Sequence, residues 1–286
     1  KGSLVYGRAN QHVTRLVMLL DDGTEWVAES VSEPEAERRA GEPGRGGELW
    51  RALLDLNLPD DGTLGLPELA RGFSGYGLDR LRVDGMVNPI ALVSGAEGTL
   101  GILVEATIDL SPIPDLTRLV VASYDSFGDA LEDAVALRET GPVAIESFDE
   151  TTLERGRSSP AWHALGDAIG DHRGAVLLLE YTGDAAEDLD AIMTTISSTE
   201  RSRSRQVIDG ASEQASIWKV RADAVGLLAK VAVGGPEFSA RPTAFVEDCA
   251  VPVAAMPAFI AEFRATLDDA GLMYGMFGHA DVGCVH

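Results

Sequence analysis

Apolar and polar positions along the chain fall into a small set of repeating patterns. In "HVTRLVMLLDDGTEWVAES" an apolar run, the turn pair Asp22-Gly23 and a second β-prone run predict a hairpin. From Val31 to Pro59 the chain is charged and Gly-rich, turning helical around "GELWRALLDL", which predicts an exposed excursion. Pro67 to Arg71 suits a short helix, and "SGYGLDRL" places small residues around Tyr76. "NPIALVSGAEGTLGILVEATIDLSPIP" predicts a Gly-rich turn and then an alternating strand with Ile102, Val104, Ala106 and Ile108 on one face. The prolines of "SPIPD" close that strand and mark a boundary.

Beyond the boundary, strands and helices alternate. "RLVVASY", "VAIESF", "GAVLLLEYTG", "AFVEDCAVP" and "LMYGMF" read as strands. "FGDALEDAVALRETG" reads as a helix closed by Gly141, and a short helix follows Asp149. "AAEDLDAIMTTISS", Ser212 to Lys230 and "VAAMPAFIAEFRATLDDAG", closed by Gly271, are the remaining helices. Units of this size predict an α+β sandwich of ferredoxin-like type.

With 286 residues and 45% hydrophobic content, the chain has material for two domains. No apolar run approaches the roughly 20 residues of a membrane helix. "KGSLVYGRAN" has no signal-peptide core and no initiator Met, so the chain is expected to begin inside a longer protein. Charge changes the picture more. Against 46 acidic residues stand 23 basic ones, and lysine occurs only at positions 1, 219 and 230. A net charge of -23 repels nucleic acid and anionic membranes. The acids are spread among Arg and apolar positions, the pattern of a salt-adapted, halophilic surface. Two cysteines, Cys249 and Cys284, make no disulfide framework and no CxxC pair, so a cytoplasmic protein is expected.

Three stretches can carry chemistry. "GAEGTLG", Gly95 to Gly101, lets backbone approach a ligand closely, and such a turn also serves structure alone. Its spacing is neither that of a Rossmann turn nor that of a Walker loop. Arg221 in "SIWKVRADAVGLL" suits a carboxylate, because its planar fork matches two oxygens, or is a surface Arg on an amphipathic helix. The closing "MFGHADVGCVH" holds His279 and His286, which are either metal ligands or solvated tail residues. On a regular strand a spacing of seven puts them on opposite faces, so a chelating pair needs a bend, for which Gly283 is placed. His12, His163 and His172 match no pattern and read as surface or loop residues.

Several of these stretches together resemble FAD enzymes of the vanillyl-alcohol-oxidase type. "SGAEGTLGILVEATIDLSPIP" is similar to their second flavin-contacting segment, with Ala96 in place of the usual Ser. "KGSLVYGRANQHVTRLVMLLDDG" and "SGYGL" are similar to two neighbouring elements, with Gly77 at the variable position. "SIWKVRADAVGLL" resembles the helix whose Arg binds a substrate carboxylate in the 2-hydroxy-acid dehydrogenases, although the family's Glu is Ala222 here and Asp223 follows it. "FGHADVGCVH" resembles the family's Gly-His-x-Gly-Asp-Gly-Asn-x-His element, with Cys284 where the family has Asn. "FVEDCAVP" matches the strand before the last cap helix, which puts Glu247 and Asp248 near the site or simply at a strand end.

The resemblance implies an α+β protein. Residues 1–113 form the C-terminal lobe of an FAD-binding domain, with an insertion at 31–66, and residues 114–286 form a substrate cap that is incomplete at its end. It implies FAD held by Gly95, Ala96, Glu97, Gly98, Thr99, Leu100, Gly101, Ile102 and Leu103, substrate held by Arg221, and zinc or another divalent metal held by His279 and His286. The implied reaction oxidises a D-2-hydroxy acid of lactate, glycolate or 2-hydroxyglutarate type by hydride transfer to flavin. Electrons then pass to a quinone or an electron-transfer protein. The most similar subset carries a C-terminal iron–sulfur region, which places any such cluster outside this chain. No catalytic base is expected within the chain, so the fragment alone is expected to be inactive. A homo-oligomer is compatible with the family, as is peripheral contact with a membrane through the acceptor. The alternatives are a flavin-dependent glycerol-3-phosphate or ether-lipid type enzyme, against which three lysines argue, and a non-catalytic module that has lost its cofactor loop.

Overall fold

The computed structural model describes residues 2–58, 69–71, 75–196, 201–228 and 246–286. They form two compact units, one drawn from residues 7–58 and 75–112, the other from residues 2–6, 69–71, 113–196, 201–228 and 246–286.

In the first of these, β1 (Val13–Leu19) and β2 (Glu25–Glu29) make the expected hairpin, with Gly23 at positive φ in the turn. The strand β3 (Val31–Ser32) leads into α1 (Glu33–Ala40) and α2 (Arg45–Asp55). After them come β4 (Arg82–Val83), β5 (Met86–Val87), a short helix (Ile90–Val93) and β6 (Ile102–Ile108). One sheet runs β2-β1-β6 and a smaller one runs β3-β5-β4. The expected exposed excursion is overturned here: Ala36, Ala40, Trp50 and Leu53 are buried with Leu16, Met18 and Trp26. The indoles of Trp26 and Trp50 tilt together at 6.0 Å. Apolar residues on helical spacing outweighed the Gly and charge content of the segment. Strand β6 exists as expected, but all seven of its residues are exposed. Its register passes from Leu103 opposite Met18 to Glu105 opposite Val17, so the predicted single face breaks at Val104.

The other unit is built on a seven-stranded antiparallel sheet. Its strands in chain order are β7 (Leu116–Tyr124), β8 (Ala144–Phe148), β9 (Ala175–Gly183), β10 (Ser204–Ile208), β11 (Cys249–Ala250), β12 (Phe277–His279) and β13 (Cys284–Val285). Their spatial order is β10-β7-β9-β8-β12-β13-β11. The helices Phe127–Leu137, Ala186–Ile196 and Met256–Asp269 pack on one face of the sheet around Val120, Leu177 and Leu179. The helices Glu150–Gly156, Trp162–Ile169 and Ala211–Leu228 pack on the other, around Leu119, Val121 and Leu178. The expected α+β class holds, with helices on both faces where a ferredoxin-like sandwich covers one. Strand β9 is accordingly an almost unbroken apolar run, as a strand covered on both sides requires.

Local chemistry explains the helix ends. Ser126 accepts from the amide of Asp129 at one helix start, and Asp149 accepts from the amide of Thr152 at another. Gly141 takes the left-handed conformation at its predicted place. The helix Trp162–Ile169 and strand β10 were not anticipated from sequence. "LMYGMF" is a strand only at its last residue, and "AFVEDCAVP" only at Cys249–Ala250 among the described residues. The start of the helix expected at Pro67, Lys1 and Lys230 lie outside the described residues. No helix among them is long and apolar enough to cross a membrane.

Candidate functional site

The closing stretch solves the spacing problem with a hairpin. Strands β12 and β13 pair His279 with Cys284 and Gly278 with Val285, and the backbones of Phe277 and His286 exchange hydrogen bonds of 3.2 and 2.8 Å. Cross-strand partners share a face, and so do residues two apart on a strand. Phe277, His279, Cys284 and His286 therefore all project to one side. Phe277 and His286 stack at 5.0 Å, and the imidazoles of His279 and His286 meet edge to face at 5.4 Å. Gly283 supplies the turn as expected. Its φ is +70°, and a Cβ there would lie 2.0 Å from the carbonyl oxygen of Val251. Neither imidazole is a loose surface group: each side chain is 15% exposed.

Beneath His279 lies Glu146 of β8, its direct cross-strand partner. The Glu146 side chain is 2% exposed. Its Oε1 accepts from His279 Nδ1 at 2.7 Å, and its Oε2 accepts from Arg221 Nε at 2.9 Å, with Arg221 Nη2 also 2.9 Å away in the same ion pair. Arg221 reaches it from the helix Ala211–Leu228, and its guanidinium lies over the Phe277 ring at 4.9 Å. Burial alone would raise the Glu146 carboxyl. The hydrogen bond from His279, with the charges of His279 and Arg221, holds it below the ordinary value instead. Asp281, buried in the hairpin turn, is pushed up to about 6 by burial and by the charge of Glu146.

On the far side of His286 sits Asp248, with Oδ1 3.6 Å from Nδ1. Arg71 Nη2 is 3.1 Å from the same oxygen, and the Cys284 thiol donates to it at 3.5 Å. Burial pushes Cys284 up to about 12, so it stays a thiol, and burial lowers His286, so its imidazole is neutral. Asp248, Cys284 and His286 bring three metal-type donor atoms within 4.8 Å of one another. In that trio the Asp248 oxygen is already in contact with the Arg71 cation and the Cys284 thiol. The two imidazoles suit a cation better. Two rings bound at ~2.0–2.1 Å to one tetrahedral ion stand roughly 5 Å apart, centre to centre, close to the 5.4 Å observed.

Arg221, His279 and His286 are thus brought together, and Asp248 joins them at the rim, while Glu247 is exposed. Asp223 turns away to Ser159 and Lys219. Trp218 packs against the core. Sequence reading missed Glu146, Phe277 and Arg71 as site residues. A lone Glu inside the apolar run "VAIESF" was the available signal, since buried carboxylates are rare unless paired.

In the first unit, the stretch from Gly95 to Leu103 forms a tight turn running into β6. Glu97, Gly98 and Gly101 have positive φ. Thr99 donates its hydroxyl to the Ala96 carbonyl and shares a 2.7 Å hydrogen bond with the Tyr76 hydroxyl. A Cβ at Gly95 would lie 1.7 Å from the Gly75 carbonyl oxygen, so Gly95 is fixed by the fold, whereas Gly98 has open space around it. Ala96 is buried, while Leu100, Ile102 and Leu103 are exposed.

The family model of FAD linked oxidases, C-terminal domain, matches residues 113–286. D-2-hydroxyglutarate dehydrogenase of Pseudomonas putida is 35% identical over 299 residues, which cover 100% of this chain and 29% of that protein. The Escherichia coli protein of the same name is 31% identical over the same shares. The mitochondrial D-lactate dehydrogenase [cytochrome] of Arabidopsis thaliana is 24% identical over 82% of this chain and 38% of its own length. Among solved structures, alkyldihydroxyacetonephosphate synthase superposes with a TM-score of 0.55 at 13% identity, covering 99% of this chain and 47% of that one. At that identity the likeness is one of fold. The chain spans under a third of the length of the D-2-hydroxyglutarate dehydrogenases it matches.

Proposed function

Because the chain belongs to the FAD linked oxidases through their C-terminal domain, we propose that it is the substrate-handling part of an enzyme oxidising a D-2-hydroxy acid to the 2-oxo acid. The observation that carries this reading is the convergence of Arg221 and His279 on one buried carboxylate, with His286 alongside. Arg221 binds the substrate carboxylate with the hydrogens that Glu146 leaves free. His279 and His286 would hold a divalent cation, zinc being the natural choice for two imidazoles. Phe277 and the buried hairpin exclude water from this face. Gly95 to Leu103 cradle FAD: the open backbone at Gly98 and the apolar Leu100, Ile102 and Leu103 suit close contact with a flat ring. When bound, FAD supplies the hydride acceptor and the cation a Lewis acid for the hydroxyl oxygen. The electrons leave to a quinone or an electron-transfer protein. Residues 1–113 form the cofactor lobe and residues 114–286 the cap.

The test is anaerobic mixing of the full-length enzyme with D-2-hydroxyglutarate, D-lactate or glycolate. Bleaching of the flavin band by one of them, but not by an L-enantiomer, is the expected result. No bleaching with any of the three would refute the reading. Arg221→Lys should raise KM by tenfold or more, since a charge-assisted bond to a planar fork is worth about 1.5–3 kcal/mol.

A further inference from the structure

A buried carboxylate in the middle of a sheet is a costly choice for packing alone. An apolar side chain of similar volume would fill the position of Glu146 between Leu178 on β9 and His279 on β12 at lower cost. Yet both of its oxygens are engaged, and each by a different group that the proposed function uses. We infer that Glu146 is a positioning residue, a single carboxylate that sets the proton of His279 and the orientation of Arg221 together. The inference rests on the roles proposed above for Arg221 and His279.

The chemistry follows from the contacts. The carboxylate that accepts from Arg221 is also the acceptor at Oε1, so the hydrogen in the 2.7 Å contact sits on Nδ1 of His279. Nε2 then carries a lone pair and is the nitrogen available to a cation. On the other oxygen, Nε of Arg221 is committed by a hydrogen bond, and Nη2 lies 2.9 Å away in the same ion pair. What remains for a substrate is the end-on edge formed by Nη1 and the outer hydrogen of Nη2. Phe277 under the guanidinium keeps that edge from swinging. Imidazole and guanidinium are therefore not independent: one change at Glu146 disturbs both.

Glu146→Gln makes the coupling visible. The amide must turn its oxygen to one partner and its NH2 to the other. The cationic Arg221 takes the oxygen, so the NH2 donates to His279 Nδ1 and drives the imidazole proton to Nε2. The readout is the 15N spectrum of the histidine side chains in this chain, recorded without metal and above the histidine titration range. The expected result is the Nδ1–H tautomer at His279 in the wild type and Nε2–H in Glu146→Gln. Zinc affinity, measured by chelator competition, should fall about 10–100-fold in the same variant. Glu146→Asp, which keeps an acceptor, should retain the wild-type tautomer. A merely structural Glu146 would lower the melting temperature of Glu146→Gln and leave the tautomer unchanged, which would overturn the inference. If the variant does not fold, the wild-type spectrum decides: an Nε2–H tautomer at His279 refutes the assignment. The expected tautomers without any zinc binding would uphold the positioning role and refute the metal reading of the site.

Discussion

Strands β9 and β6 are both rich in Leu, Ile, Val and Ala, and their environments are opposite. In β9 the stretch Ala175–Tyr181 is buried, covered by helices on both faces of the sheet. In β6 every residue is exposed, at the edge of a three-stranded sheet. Apolar composition therefore announces a strand in both cases and says nothing of its neighbours. Cover is a property of the tertiary structure, and stability follows cover rather than composition.

The comparison is most easily broken at Leu177, which is fully buried in β9. Leu177→Ala should destabilise the protein by about 2–5 kcal/mol, from lost transfer energy and the cavity left behind. Urea denaturation measures it, and a loss below about 1 kcal/mol would mean that the helical cover is loose.

The same cover acts on charge one strand away. Asp149, directly after β8, is pushed up to about 6 by burial, against the hydrogen bonds from Thr152 and the nearby Arg264. Its folded value lies above its unfolded one, so its contribution to stability is complete at acid pH and is lost as pH rises through about 6. The wild type should therefore lose stability relative to Asp149→Asn between about pH 3 and about pH 6.5, by up to roughly 3 kcal/mol. Parallel denaturation series for the two proteins would show it. A constant difference between them would place the carboxyl in a wetter setting than the structure describes.

At the opposite extreme, Ile102→Ser on β6 should change the stability of this chain by less than about 0.5 kcal/mol. A large loss would show that the exposed face is covered in solution.

Much of this could be read from sequence, and the failures share one cause. The β1–β2 hairpin, the Gly141 cap and most helices follow from local periodicity and turn chemistry, which short stretches contain in full. Arg221, His279 and His286 were legible as candidates because their motifs are contiguous. The burial of Trp50 was not, since it depends on Trp26 from a different element. Nor was Glu146, whose meaning depends on Arg221 and His279, 75 and 133 residues further along the chain. Strand periodicity also argued against the histidine pair until the backbone was seen to reverse between them.

That reversal bears on how the motif can vary. A hairpin's register is set by its turn, and a slip of one residue sends every side chain of a strand to the other face. The side chain of Val285 contributes only packing, whereas the number of residues between the strands decides whether His286 faces its partner at all. Deleting one residue from Ala280–Gly283 would leave both histidines in the sequence, five residues between them instead of six, and part them across the sheet. In descendants of this chain, the count of the turn is thus the inherited quantity, together with the glycine at 283 that closes it.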